Sequence, residues 1–158
     1  MNVYEDFESL KILTETEYKK IKSVYCPALK NSVAFNSEGF HHLRYDGSRS
    51  ERSKTVQRNK FLCLKKARDI VEKSTTVQEY RRSICKVGKA KKDGFTKTSL
   101  VEWFAFCAIT SFTNQTRIKV VIRRIGGEDG SFHFWSVIPY WTMFNGHRVV
   151  GTTEIEDK

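Results

Sequence analysis

Between Thr116 and Ile138 the chain reads TRIKVVIRRIGGEDGSFHFWSVI, two runs of alternating character around a glycine-rich turn. In the first run Ile118, Val120 and Ile122 fall on even positions, and Lys119, Val121 and Arg123 on odd ones. In the second, Phe132, Phe134, Ser136 and Ile138 alternate with His133, Trp135 and Val137. Successive side chains of a strand point to opposite faces, so the pattern predicts a β-hairpin with an apolar face and a second face carrying Lys119, Arg123, His133 and Trp135. With Ile125 opposite Ser131, Arg123 stands across from His133, Val121 from Trp135 and Val120 from Ser136.

The remaining segments are read the same way. Residues 1–30 form a helical lead-in: a short piece, a break near Thr14 to Thr16, and a helix from Glu15 to Tyr25 stopped by Pro27. Val33 to Phe35 is a short apolar run, after which Asn36 and Ser37 start one or two helical turns with Phe40 and Leu43 on one side. A polar loop, DGSRS, follows, and is either a solvated connector or a flexible basic lid. Ser53 caps a strong helix to Ser74 with Val56, Phe61, Leu64, Ala67 and Val71 on its packed side, Lys60 elsewhere, and Arg58 at the border. Thr75 to Val87 has strand composition, Gly88 to Thr98 is a lysine-rich loop, and the apolar run Ser99 to Phe112 suits a strand covered on both faces. After Pro139 come Tyr140, Trp141, Met143 and Phe144, an Asn145-Gly146 turn and a strand candidate from Arg148 to Thr153, with Trp103 and Trp141 assigned to the core. The order of elements gives an α+β domain over 1–158: N-terminal helices packed on one face of a roughly four-stranded antiparallel sheet, its other face free to bind.

Charge narrows the partner. The 158 residues hold 28 Lys and Arg against 18 Asp and Glu, a formal net charge of +10, with 13% aromatic residues. RNA, DNA or an acidic protein is the expected partner, and a membrane surface is not. The opening MNVYEDFESLK places acids where a signal peptide needs a basic region, so the expected location is cytoplasmic, with delivery by a carrier as a further route. Cys26, Cys63, Cys85 and Cys107 are far apart and form no Cys-x-x-Cys pair, which predicts reduced thiols and neither a metal nor another cofactor.

A basic face with histidines has the parts for metal-independent RNA cleavage. The substrate brings its own nucleophile, the 2′-hydroxyl; the protein supplies a base, an acid and cations for the phosphate oxygens. His41, His42 and His133 are candidates for the proton transfers because free imidazole titrates near neutrality. Arg123 and Arg81 suit the phosphate, and Trp135 suits stacking on a base. His133 between two phenylalanines equally fits a packing role, Ser136 on the apolar face is ordinarily a hydroxyl bonded to backbone, and Glu38, Glu79 and Glu102 are bases that spacing does not separate.

The series FNSEGFHHL (Phe35 to Leu43), an early helix arginine (Arg58), VQEYR (Val77 to Arg81), EWFA (Glu102 to Ala105), IKVVIR (Ile118 to Arg123) and FWSVI (Phe134 to Ile138) resembles phage-type members of the barnase, EndoU, colicin ribonuclease and RelE-like (BECR) nuclease superfamily, over residues 33–138. The resemblance implies a BECR fold and metal-independent ribonuclease activity of the kind often found in toxins. Motif order and charge together then give the expected function, a toxin-like endoribonuclease acting on tRNA or ribosome-associated RNA; a non-catalytic RNA- or DNA-binding module and a phage-derived protein that binds an acidic antitoxin or immunity protein are the alternatives. Carried over by position, it points to catalytic roles for His42, Arg81, Arg123 and Ser136, to which the reading of the hairpin face adds His133 as an acid or base. Arg44, Arg58, Tyr80, Lys119, Trp135 and His41 would then hold the substrate. Typical members have one histidine in the first of these segments, whereas this chain has His41 and His42.

Overall fold

The computed structural model describes residues 3–111, 115–144, 147–150 and 155, with side chains for 6–110, 117–139 and 155. Three helices precede most of the sheet. Helix α1 (Val3–Ile21) leads into strands β1 (Ser23–Cys26) and β2 (Asn31–Ala34), helices α2 (Ser37–Arg44) and α3 (Lys54–Lys73), and strands β3 (Glu79–Lys86), β4 (Thr98–Ser111), β5 (Gln115–Ile125), β6 (Phe132–Phe144) and β7 (His147–Val150). The strands lie in the order β1-β2-β6-β5-β4-β3, with β7 also on β6.

The α+β class holds, and the sheet is larger than expected. Strands β3 to β6 are the anticipated antiparallel set. To them the chain adds the β1–β2 hairpin, joined by a parallel pairing of Val33 and Ala34 with Phe132 and His133, which makes the sheet mixed. The lead-in also differs: α1 runs unbroken through Thr14 and Thr16, where the Thr16 hydroxyl bonds the Ile12 carbonyl at 2.8 Å and so stays compatible with a helix. The helix stops at Lys22, whose φ of 62° is left-handed, and residues 23–26 are strand instead of helix. Strand β6 continues through Pro139 to Phe144; the proline sits where the β5–β6 register shifts, a place where a missing N–H is tolerated. The loop after β3 is hydrogen-bonded, with Val87 N–H donating to Lys97 O and Lys91 N–H to Phe95 O. The Asn145-Gly146 turn and the side chain of Trp141 lie outside the described residues.

Two cores sandwich the sheet. On the helix face, Phe7 and Tyr18 of α1, Phe40 and Leu43 of α2, and Phe61, Leu64, Ala67 and Val71 of α3 close over Phe106, Ile118, Val120, Ile122 and Phe134. Val56, assigned to this side by pattern, is exposed, and its place is taken by Gln57 and Lys60, both buried. On the opposite face Val101, Trp103, Ala105, Val121 and Ile138 pack with Ile155. That face is therefore not free at its centre: among the described residues a second core lies there.

Strand β6 holds one residue more than β5 needs. Val121 pairs with Ser136 and Ile122 with Phe134, so Trp135 is extra, and the simple alternation from Phe132 to Ile138 breaks there. Before the bulge Phe132 and Phe134 face the helices; after it Val137 does. The expected register is right at Arg123 and His133 and shifted by one beyond them.

Helix α2 sits unusually close to this strand. A Cβ on Gly39 would lie 2.5 Å from the Phe134 carbonyl oxygen and 2.7 Å from the Tyr18 hydroxyl. Gly39→Ala is therefore expected to destabilise the fold by about 1–3 kcal/mol in urea unfolding, although alanine is the better helix former, because the helix must move off β6. Unchanged or raised stability would show that α2 is not seated this tightly.

Candidate functional site

Helix α2 is brought to the sheet by its first turn. Asn36, in extended conformation, caps it by accepting from Gly39 N–H at 3.3 Å, and its own carbonyl accepts from the Tyr18 hydroxyl at 2.6 Å. Gly39 then rests on β6. The result is that Glu38, His41 and His42 stand beside the strand ends that carry Arg123, His133 and Trp135. Ser37, Glu38, His41, His42, Asp46, Arg49, Arg123 and Trp135 help line an open cleft of about 550 Å³.

Trp135 is the centre of this arrangement. The His42 ring stacks on it with centroids 3.9 Å apart and planes 19° from parallel, and the Arg123 guanidinium lies 3.6 Å from its ring centre. Two groups this near one ring centre cannot share a face, so the indole is sandwiched. A stacked base has no face of Trp135 to use unless one of them leaves, which corrects the expected stacking role.

Each of the two layers is fixed in turn by a histidine–arginine contact. Arg123 Nε donates to His133 Nε2 at 2.9 Å, and Arg52 Nη2 lies 3.2 Å from His42 Nε2 while Arg52 Nε donates to the His42 carbonyl at 3.1 Å. Arginine only donates, so both imidazoles accept at Nε2 and carry their proton on Nδ1. Burial, followed by the neighbouring Arg123 charge, pushes the His133 pKa down to about 4. Burial also lowers Arg123, to about 10, which leaves it charged at neutral pH. His133 thus acts as a neutral acceptor that orients Arg123, and neither it nor His42 has a free Nε2 for proton transfer.

What faces the cleft is a different pair. Glu38 is exposed and accepts from Arg123 Nη2 at 3.2 Å. His41 is exposed, stacks on Tyr45 at 4.5 Å, and lies three residues from Glu38 on the same side of α2. The DGSRS segment is a built turn: Asp46 Oδ1 accepts from Ser48 N–H at 2.9 Å, the Ser48 hydroxyl at 2.7 Å and Ser50 N–H at 2.9 Å. These bonds, Ser48's first, hold the Asp46 carboxyl below its usual range. The turn places Arg49 in the cleft wall and brings Arg52 back onto His42.

The other anticipated residues lie elsewhere. Arg81 shares a cross-strand row with Trp103, Arg123 and His133, but Trp103 stands between it and Arg123, two strand spacings or roughly 10 Å away. Lys119 is fully buried and donates to Glu79 at 2.9 Å, so it is a structural cation and not a surface contact. Ser136 is buried at the bulge, 3.2 Å from the Lys60 ammonium. Tyr80 donates to Glu102, which also accepts from Arg124. Arg58 pairs with Asp6 of α1 at 2.6 Å, and Arg44 reaches Glu51 at 4.0 Å and lies over Tyr45. Burial pushes the Cys63 thiol up to about 11 and raises Cys26 and Cys107, which makes poor nucleophiles of all three. Sequence reading passed over Arg52 on His42 and had no reason to prefer Glu38; the signal for the latter was its three-residue spacing from His41.

No family model, curated protein or solved structure matches the chain.

The neutral His133 has a pH consequence. Its folded pKa lies below that of the unfolded chain, so the unfolded state binds the extra proton, and stability falls as pH drops from about 6.5 to about 4. The loss is expected to be on the order of 3 kcal/mol. In His133→Gln, which keeps an acceptor for Arg123 but does not titrate, urea unfolding between those pH values should lose that component; parallel curves for the two proteins would refute the assignment.

Proposed function

We propose that the protein is a metal-independent endoribonuclease whose active site is the cleft between α2 and the β5–β6 hairpin. The observation that carries this reading is the convergence of a fixed guanidinium, an exposed carboxylate and an exposed imidazole on one open cleft of a strongly basic protein. Arg123, held by His133 and Trp135, receives the scissile phosphate, which takes the place of the Glu38 carboxylate. Glu38, released from that contact, removes the 2′-hydroxyl proton as the 2′-oxygen attacks phosphorus. His41, one helical turn further along α2, protonates the departing 5′-oxygen. The phosphorus–5′-oxygen bond breaks, leaving a 2′,3′-cyclic phosphate and a 5′-hydroxyl. Arg49 at the cleft wall binds the neighbouring backbone phosphate.

Relative to the roles anticipated for His42 and His133, this reading moves proton transfer to Glu38 and His41 and leaves the two buried histidines to position Arg52, Arg123 and Trp135. A BECR-type architecture is consistent with helices followed by the antiparallel β3–β6 set, and belongs to the proposal. The substrate class is RNA, with tRNA or ribosome-associated RNA as the first substrates to try, and an acidic inhibitor as the expected regulator.

Purified protein incubated with total RNA and tRNA in excess EDTA should yield fragments ending in 2′,3′-cyclic phosphate. Glu38→Gln and His41→Ala should each lower turnover by about 10²–10⁴-fold while retaining RNA affinity. Salt-sensitive RNA binding with no cleavage by the wild-type protein would replace this reading with that of a non-catalytic RNA- or DNA-binding module.

A further inference from the structure

Away from the cleft, α1 and α3 leave a second groove between them, also of about 550 Å³. Its floor is apolar, made by Leu13, Ile21 and Leu64 with the edge of Tyr18. Leu13 is 54% exposed, and Ile12 beside it is 62% exposed, so α1 turns uncovered aliphatic surface to solvent at this point. On a helix this length the opposite arrangement, polar residues outward, is the ordinary one.

Two further features belong to the groove. Thr14 is among the lining residues, is 6% exposed, and its buried hydroxyl has no hydrogen-bond partner among the described residues. A mid-helix threonine usually bonds the carbonyl four residues back, as Thr16 does here. The second feature is charge. Lys65 and Arg68, three residues apart on one side of α3, form the rim, and among the described residues neither has a carboxylate partner. Across the groove Lys20 is already matched by Glu17 at 3.0 Å. The rim is therefore positive on the α3 side and neutral on the α1 side.

We propose that this groove docks an acidic amphipathic helix from another protein. A helix laid between α1 and α3 buries its apolar stripe on Leu13, Ile21 and Leu64, and sets carboxylates on one flank against Lys65 and Arg68. An RNA strand fits the rim but not the aliphatic floor, which offers no partner to base edges. The proposal is independent of the ribonuclease reading, since none of these residues lines the cleft.

The probe is a fluorescein-labelled 18-residue model helix with leucines at three- and four-residue spacing and glutamates on the flanks, beside the same peptide with lysines for glutamates. Fluorescence anisotropy should show micromolar binding of the acidic peptide alone. Leu13→Asp should abolish it, and Lys65→Glu with Arg68→Glu should weaken it at least tenfold. Lys89→Glu with Lys91→Glu, an equal charge change in the β3–β4 loop, should leave it within twofold. Thr14→Val, which changes only a buried hydroxyl, should leave peptide binding within twofold. Equal weakening by the two charge-reversal pairs, or binding insensitive to Leu13→Asp, would overturn the proposal. So would loss of the peptide to a competing RNA 12-mer, or Leu13-dependent binding to phosphatidylglycerol vesicles in place of the peptide.

Discussion

The candidate site depends on Trp135 being held on both faces. An indole at the surface of a basic protein would ordinarily be a mobile apolar plate; here His42 packs one face and Arg123 the other. The cation–π contact fixes Arg123 in a position where burial alone would disfavour it. The same ring ties α2 to the hairpin, so the two halves of the cleft share one spacer. That spacer exists because β6 contains an additional residue. Beside the bulge Lys60 reaches in from α3, its ammonium 3.2 Å from Ser136 Oγ and 3.4 Å from the Val137 carbonyl.

Buried cations recur in this chain. Lys60 and Lys119 are almost wholly out of water, and Arg123 and Arg124 nearly so. Each has an oxygen partner: Ser136 and Val137 for Lys60, Glu79 for Lys119, Glu38 for Arg123 and Glu102 for Arg124. An uncompensated buried charge costs several kcal/mol, so these partners fix where each long side chain ends. The partners differ in mobility. Glu102 is 7% exposed and is part of the sheet, whereas Glu38 is 65% exposed and can swing away without opening the core. Arg123 is thus the buried arginine whose carboxylate is exchangeable for another anion.

Much of this was legible in the sequence. The Asn36 and Ser53 caps, the α3 core face, the β4 run and the pairing of Arg123 with His133 follow from local patterns, because capping and alternation are local physics. The β1–β2 hairpin was not legible: Ser23–Cys26 has helical spacing with α1, and only the left-handed turn at Lys22 and the pairing with β2 make it a strand. Lys60 looked like a surface residue because its burial is compensated by a bulge far along the chain. At the candidate site, residue types indicated a cluster, and His42, His133, Arg123 and Trp135 do meet. Which nitrogen accepts and which ring face is covered were not legible, because both follow from packing between segments distant in sequence. Lys119 and Arg81 share strand periodicity with Arg123, yet one is submerged beside Glu79 and the other is screened by Trp103.

The short parallel pairing of β2 with β6 bears on how the molecule is made. It joins residues 33 and 34 to 132 and 133, which lie far apart along the chain. Helix α2 emerges immediately after β2, yet the surface it needs, Phe134, comes last. Contacts of such wide separation form late, after local ones. During synthesis, therefore, α2 has capping and spacing for a helix long before it has a strand to lie on. A partial chain ending before the hairpin carries one wall of the cleft, from α2 and the turn after it, and lacks the other, Arg123 and Trp135.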